Sequence, residues 1–331
     1  MKGFRARKMR SGRTYYYFDG TKPETPLGCD YTLAVKKWVE LTQEATAVVT
    51  TFLDLADRYE REVLVTKAIS TQSTQRSDIK QLREFFSKPT PAPLAAIRPK
   101  HIAMLMDKRK DQPTTANRLK RTFSHMFNMA RRWGYTDAEN PVKGVEGFAL
   151  GKRTMDVSEA VYSAVWTAGS AALRDAMDLA YLTGQRPGDV LKFNERQIVD
   201  GVFVVQQSKT KAPLRIRVEG EFGQLIERIK QRKAGHKVWC ASLAVNAHGM
   251  ALTKQTLRSN FQDAKNAAAN ANPALATEIR KFWFYDLRAK AADDTADDHG
   301  DQAAANLLGH ASVSTTQRHY LRRGKLVGPT R

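Results

Sequence analysis

Between residues 50 and 148, apolar side chains recur three and four positions apart, the spacing of helices that each bury one face. Phe52, Leu55, Ala56 and Tyr59 make one stripe. Ile79, Leu82, Phe85 and Phe86 make a second, which Pro89, Pro91 and Pro93 bring to a stop. Pro99 opens a third helix carrying Ile102, Met104, Leu105 and Met106. The most regular stripe runs from Thr114 to Trp133. It has Leu119, Phe123, Met126, Phe127 and Ala130 on the inner side and Arg118, Lys120, Arg121, Arg131 and Arg132 on the outer. Four such stripes can satisfy one another only as a helical bundle. Asn140-Pro141 and the stretch holding Gly144 and Gly147 read as its exit and a linker.

The flanks have different periodicities. Met1 to Arg13 holds six basic residues and no acid, and reads as a flexible arm or opening loop. Thr14-Tyr15-Tyr16-Tyr17-Phe18 is strand-forming and ends at the hairpin signal Asp19-Gly20. As a strand it would put Tyr15 and Tyr17 on one face and Tyr16 on the other, open to packing or to stacking on bases. Thr21 to Pro26 reads as loop. From Tyr31, Leu33, Ala34, Val35, Trp38, Val39 and Leu41 return to helical spacing. On the C-terminal side, Ser158 has the character of a helix N-cap, with helix to Thr167 and another from Ala172 to Leu182. Val202 to Val205 and Leu214 to Val218 form a basic β-hairpin around Ser208-Lys209-Thr210-Lys211. The rest is alanine-rich helix, broken at Gly235, at Asn246 to Gly249 and at Pro273. The chain thus divides into residues 1–48, 49–148 and 149–331.

Charge narrows the class. Lys and Arg number 54 against 34 Asp and Glu, a net +20 spread over all three segments. Such an excess favours a polyanion, because each cation placed on a phosphate releases a condensed counterion. The bland alternative is a basic but otherwise ordinary enzyme. A hydrophobic content of 42% suffices for real cores, so the chain is not disordered throughout. No apolar run approaches the roughly 18 residues of a membrane span, and the basic start is followed by no apolar signal region, so the expectation is a cytoplasmic, nucleoid-associated protein with no membrane partner. Cys29 and Cys240 alone cannot build a disulfide framework or a thiolate zinc site.

Four local features carry the chemistry. Thr183-Gly184-Gln185-Arg186-Pro187-Gly188-Asp189 puts an arginine in a turn between helices, with Asp189 three residues on and able to orient it. Lys209 sits at the hairpin tip, with Lys211 beside it. Tyr285-Asp286-Leu287-Arg288 places an arginine at a helix start, and Leu307-Leu308-Gly309-His310 precedes a Ser/Thr stretch and Tyr320. Singly each is ordinary: a surface ion pair, a solvated lysine, a packed tyrosine. In this order the set resembles the tyrosine recombinases, and more narrowly the phage-type integrases, over the segment 152–323. The likeness of the two N-terminal segments lies in domain order alone.

The resemblance implies a multidomain, mainly α protein: a small β-sheet N-terminal domain binding arm-type DNA (1–48), a helical, SAM-like core-DNA-binding domain (49–148), and a catalytic domain of mixed α with a small β-sheet (149–331). The last two would form a C-shaped clamp on DNA. It implies site-specific recombination of double-stranded DNA attachment sites for integration or excision of a phage or mobile element. Tyr320 would be the nucleophile, forming a covalent 3′-phosphotyrosine, with no metal, ATP or other cofactor. Arg186 and Arg288 would clamp the scissile phosphate, Lys209 would protonate the leaving 5′ oxygen, His310 would hydrogen-bond the phosphate and Asp189 would hold Arg186. These roles agree with what the cleavage needs: a nucleophile, guanidinium forks on the non-bridging oxygens and an acid. Arg118, Lys120, Arg121, Arg131, Arg132 and Lys211 are the DNA-binding candidates. A homotetramer on DNA is implied, with the tail after Tyr320 packing on a neighbour, and an excisionase or DNA-bending host protein as further partners.

Two departures stand out. Most of the family has histidine where this chain has Tyr285, a poor general base with a reference pKa of about 10. Tyr320 lies ten positions after His310 where nine is commoner. Asp293, Asp294, Asp297, Asp298 and Asp301 suggest a metal cluster, but their spacing is that of one face of a polar helix; His299, His310 and His319 lack a ligand-like spacing. The alternatives are a catalytically silent DNA-binding regulator on the same scaffold, a dimer-resolving recombinase, and a metal-dependent nuclease.

Overall fold

A computed structural model describes residues 1, 3–20, 22–45, 50–324 and 329. It divides into two compact units, Met1–Gly151 and Lys152–Arg331. The expected boundary between residues 48 and 49 lies outside the described residues, as does Thr21 of the expected loop.

The first unit opens with strands β1 (Phe4–Lys8), β2 (Thr14–Phe18) and β3 (Thr25–Gly28), an antiparallel sheet in that order. The basic opening read as an arm or loop therefore contains a strand, Phe4–Lys8. Arg5 pairs with Tyr17 and Arg7 with Tyr15 across the ladder, and the β2 partner supplies the order that a lone basic segment lacks. Helix α1 (Tyr31–Ala45) covers one face, where Phe18, Leu27 and Ala34 are buried with Phe4, Tyr16 and Trp38. The strand alternation settles the tyrosines: Tyr16 packs on Phe4 at 5.3 Å, while Arg7 lies over the Tyr17 ring on the other face.

Helices α2 (Phe52–Glu62), α3 (Ile69–Phe86), α4 (Pro99–Asp107) and α5 (Pro113–Arg132) follow. All four stripes point inward, and Phe52, Phe86, Phe123 and Phe127 form a contiguous aromatic core. Met104, placed in the third stripe, is exposed instead. The reciprocal Thr51–Asp54 box that starts α2 satisfies backbone donors with no helical partner. Residues 140–148, expected as a linker, are pinned to α5. Asn117 makes hydrogen bonds in both directions with the Phe148 backbone, and Lys120 Nζ donates to the Val145 carbonyl.

In the second unit, α6 (Glu159–Ala168), α7 (Ala171–Thr183), α9 (Gly220–Ala234), α10 (Lys254–Ala271) and α11 (Ala276–Lys281) enclose the main core. The short helix α8 (Pro187–Val190) and the sheet β4 (Ile198–Val199), β5 (Val202–Gln206), β6 (Pro213–Arg217) pack beside them. Helices α12 (Asp286–His299), α13 (Asp301–Leu308) and α14 (Val313–His319) form a second, alanine-rich cluster that includes Tyr320. Small alanines let α12 and α13 approach closely, and that brings the last turns of the chain against the loop after α7. Gly184, at φ 63°, ends α7 with no room for a side chain: a Cβ would meet Leu307 and Leu308 at 3.1 Å.

Candidate active site

Arg186 is the residue that precedes α8. Its own carbonyl accepts from the Asp189 N–H, which tightens the turn that Pro187 pre-sets. Asp189, expected to hold Arg186, does otherwise: its Oδ1 accepts from the Ser208 N–H at 3.0 Å, so it braces the hairpin turn, and its Oδ2 is buried without a partner. Arg186 is held by Gln207, whose Oε1 accepts from Nη1 at 3.0 Å. Lys209 stands exposed on the turn between β5 and β6, two residues beyond Gln207. Lys211 beside it is exposed, with the left-handed φ of 58° that closes the turn.

Arg288, on the first turn of α12, is 1% exposed, yet no carboxylate among the described residues neutralises it. Its Nη1 donates to the Gly184 carbonyl at 2.6 Å, and Nη2 to the Leu308 carbonyl at 2.8 Å and to His310 Nε2 at 3.1 Å; its Nε is buried without a partner. An arginine can only donate, so His310 Nε2 is the acceptor and Nδ1 carries the proton. Nδ1 then donates to Thr316 Oγ1 at 2.8 Å. Thr316, fully buried in α14, also accepts the Tyr320 N–H on its carbonyl at 2.8 Å. One threonine thus places both the histidine and the residue that ends the helix. The ten-residue separation of His310 and Tyr320 is absorbed by the fold-back of α14, which leaves their rings 5.0 Å apart. The Tyr320 ring faces the Arg288 guanidinium at 5.0 Å, and its hydroxyl lies 2.7 Å from that of Tyr285.

The charges are arranged to ionise Tyr320 before its neighbour. Burial opposes ionisation of Tyr320, but the hydrogen bond with Tyr285 and the positive charges of Arg288 and Arg186 outweigh it, holding the phenol below its ordinary range. Burial first, and then the bond to Tyr320, push Tyr285 up to about 12. With both phenols protonated either can donate, and once Tyr320 ionises Tyr285 is the donor of the pair. Burial and then the charges of Arg288 and Arg186 pull His310 down to about 4, so it is neutral near pH 7.

The aspartates on the far side of α12 have a different task. Asp286 is fully buried between Arg153 and Arg322, whose Nη1 lies 2.8 Å away. Asp293 Oδ1 accepts the Arg322 N–H at 2.9 Å, and Arg323 reaches Asp294 and Asp297, each at 2.9 Å. Of the tail Leu321–Arg331, expected to pack on a neighbour, Arg322 and Arg323 bind carboxylates of their own unit; residues 325–328, 330 and 331 lie outside the described residues. Among the described residues no group of three or more His, Cys, Asp or Glu is set to hold a metal ion.

In the first unit, Arg121, Arg131 and Arg132 of α5 are exposed. Arg118 is engaged by the buried Asp78 at 2.8 Å, and Lys120 by Val145. Sequence reasoning missed Gln185, Gln207, Asp286, Thr316, Arg322 and Arg323. For Gln207 a signal existed: one residue past β5 it continues the inward phase of Phe203 and Val205, an amide where an apolar residue is expected.

A model of the phage integrase family matches residues 153–325. The integrase of Escherichia phage HK022 is 28% identical over 279 residues, covering 81% of this chain and 75% of the relative. The crystal structure of a lambda integrase tetramer bound to a Holliday junction aligns with a TM-score of 0.72 at 23% identity, over 100% of this chain and 98% of that one. A lambda integrase dimer bound to a COC′ core site aligns with a TM-score of 0.71 at 22% identity, over the same shares.

Proposed function

The chain belongs to the phage integrase family and is a site-specific tyrosine recombinase, and from that premise we propose that Tyr320 is the nucleophile and that Arg186, Lys209, Tyr285, Arg288 and His310 serve it. The observation that carries this reading is the Tyr320 hydroxyl on Tyr285, with its ring against a buried arginine that has no anion among the described residues. A scissile phosphate would supply the missing charge, its non-bridging oxygens taken by the forks of Arg186 and Arg288. Tyr320 Oη then bonds to phosphorus and releases its proton to water, while the P–O5′ bond breaks and Lys209 protonates the leaving oxygen. Tyr285 donates to the nucleophilic oxygen, and once Arg288 turns to the phosphate His310 donates to it through Nε2, in the tautomer in which Thr316 Oγ1 donates to Nδ1. Rejoining is the reverse: a 5′-hydroxyl attacks, Lys209 takes its proton and Tyr320 leaves. The phosphodiester energy is kept in the phosphotyrosine, so neither ATP nor metal is called on.

Three separate cores support assigning residues 1–48 to arm-type sites, 49–148 to the core site and 149–331 to catalysis. The exposed arginines of α5, Arg121, Arg131 and Arg132, would lie on phosphates. Strand exchange joins two duplexes at four cleavage points, so the working unit is a homotetramer on its attachment sites, as the lambda relative is on its junction. Excisionase or DNA-bending partners would set direction. No helix among the described residues is long and apolar enough to cross a membrane, and the enzyme would act on DNA in a bacterial cytoplasm.

The test is covalent trapping. Full chain and Tyr320→Phe are incubated in EDTA with a nicked duplex selected from a random pool by the full chain itself. The expected result is a denaturation-resistant protein–DNA band that the variant loses while still binding. Specific binding by the full chain with no band would return the protein to the silent regulator, and a band surviving Tyr320→Phe would move the nucleophile to Tyr285.

A further inference from the structure

Gln207 is 0% exposed, and every hydrogen-bonding position of its amide is filled. Oε1 accepts from Arg186 Nη1 at 3.0 Å and from Thr210 Oγ1 at 2.7 Å. Nε2 donates to Gln185 Oε1 at 2.7 Å and to the Leu308 carbonyl at 2.8 Å. The orientation is fixed by chemistry, because Arg186 can only donate and a carbonyl can only accept. Its backbone opens the hairpin turn as well: Gln207 N donates to Ala212 O at 3.0 Å, and Lys211 N to Gln207 O at 2.9 Å. Gly309 leaves it space, since a Cβ there, already at φ 64°, would stand 2.7 Å from Nε2.

One side chain therefore joins three separate stretches of the site. It holds Arg186, it holds the turn that carries Lys209, and it shares the Leu308 carbonyl with Arg288 Nη2, just ahead of His310. Lys209 is on a flexible four-carbon stem at an exposed turn, whereas a general acid must come within hydrogen-bond reach of the oxygen it protonates. A buried, fully satisfied amide fixes one geometry. Asparagine is a methylene too short to span these partners. Glutamate would face two acceptors with no donor and would neutralise Arg186.

We propose that Gln207 is a positioning residue for Lys209: it sets the root of the lysine against the phosphate that Arg186 and Arg288 hold. This rests on Lys209 being the general acid, and the test separates the two. The full chain and its variants would form the covalent complex in single turnover on two matched duplexes. One has oxygen at the 5′-bridging position of the scissile phosphate and the other has sulfur. A thiolate leaves without an acid, its conjugate acid having a pKa of about 8.5. Lys209→Ala is expected to lose about 10²–10⁴-fold on the oxygen duplex and to recover on sulfur. Gln207→Leu is expected to follow it, losing about 10²-fold on oxygen and returning to within a few-fold of the unaltered chain on sulfur, with DNA binding retained.

Equal loss of Gln207→Leu on both duplexes would overturn the proposal, since a disturbed Arg186 or a loosened fold is blind to the leaving atom. No loss on either would overturn it too. Failure of sulfur to rescue Lys209→Ala would remove the general acid, and with it any acid for Gln207 to position. Should Gln207→Leu not fold, Thr210→Val removes one of the four bonds at an exposed position. It should show the same preference for sulfur at about tenfold or less.

Discussion

Helix α12 handles arginine in two opposite ways. At about 100° per residue, Arg288 points to one side, while Asp286, Asp293, Asp294 and Asp297 gather on the other. On the aspartate side Arg153 and Arg322 share the Asp286 carboxylate, and Arg323 is paired with Asp294 and Asp297. On the other side Arg288 is buried too, yet its hydrogen bonds go to two carbonyls and a neutral histidine, with the Tyr320 ring beside it. Among the described residues Arg186 likewise donates to the oxygen of an amide and is paired with no carboxylate. Burying a charge with no counter-charge costs several kcal/mol even when it is hydrogen-bonded, so the fold could have saved that energy with one more aspartate. It does not, and the electrostatic demand stays open for an anion from outside. Paired arginine holds the unit together, and on the proposed reading unpaired arginine is held for the substrate.

That contrast can be broken in order of size. Arg288→Lys should lower covalent-complex formation by about 10²–10³-fold, because a point charge cannot span two phosphate oxygens as the fork does. Its melting temperature should move far less than that of the aspartate-side variants, and a large loss of stability with little loss of rate would collapse the distinction. Asp286→Asn should do the reverse. It leaves Arg153 and Arg322 facing a neutral group, at about 3–5 kcal/mol of stability in denaturant titration, with a smaller effect on cleavage once the protein is folded.

Tyr285→Phe probes the electrostatics of the open side more gently. One neutral hydrogen bond is worth about 0.5–1.5 kcal/mol, so cleavage should slow by about tenfold at most. Because that bond helps hold Tyr320 below its ordinary range, losing it raises the phenol, and the rising limb of the rate profile should shift to higher pH. His310, down at about 4 among positive charges, should add no ionisation of its own between pH 5 and 8 in either protein. A profile unmoved by Tyr285→Phe would mean the hydroxyl contact does not poise the nucleophile.

The smallest effect carries the same contrast into the first unit. Arg118 is a paired arginine, on the buried Asp78, and Arg132 is an exposed one on the same helix. Arg132→Ala should make the salt dependence of DNA binding shallower by about one in slope. Arg118→Ala should leave the slope alone and cost about 1–3 kcal/mol of stability. Measuring binding across a salt series, with a thermal melt of each variant, separates the two.

What the chain discloses in one dimension follows the same division. The helical stripes of α2, α3 and α5 are periodic, and their cores sit where the spacing puts them. Arg186, Arg288, His310 and Tyr320 are legible because their chemistry is local to short motifs, and the fold brings them together. Pairing across distance is not legible. β1 becomes a strand only because β2 lies beside it, and Asp189 turns to Ser208 although Arg186 is its nearer neighbour in sequence. Gln207 matters through partners 21 and 101 residues away, which no spacing rule reaches.

The carboxylate of Asp286 has one more consequence. It clasps Arg153, on the second residue of its unit, and Arg322, two residues past Tyr320, so the unit's entrance and its exit are fastened to a single atom group. Tyr320 is in effect a bead on a closed ring, unable to swing outward unless the clasp opens. A fragment beginning at Leu150 should keep the ring and form the adduct. One beginning at Glu159 loses Arg153 but keeps Arg322 on Asp286 and Arg323 on Asp294 and Asp297, so its adduct yield measures what the Arg153 half of the clasp contributes.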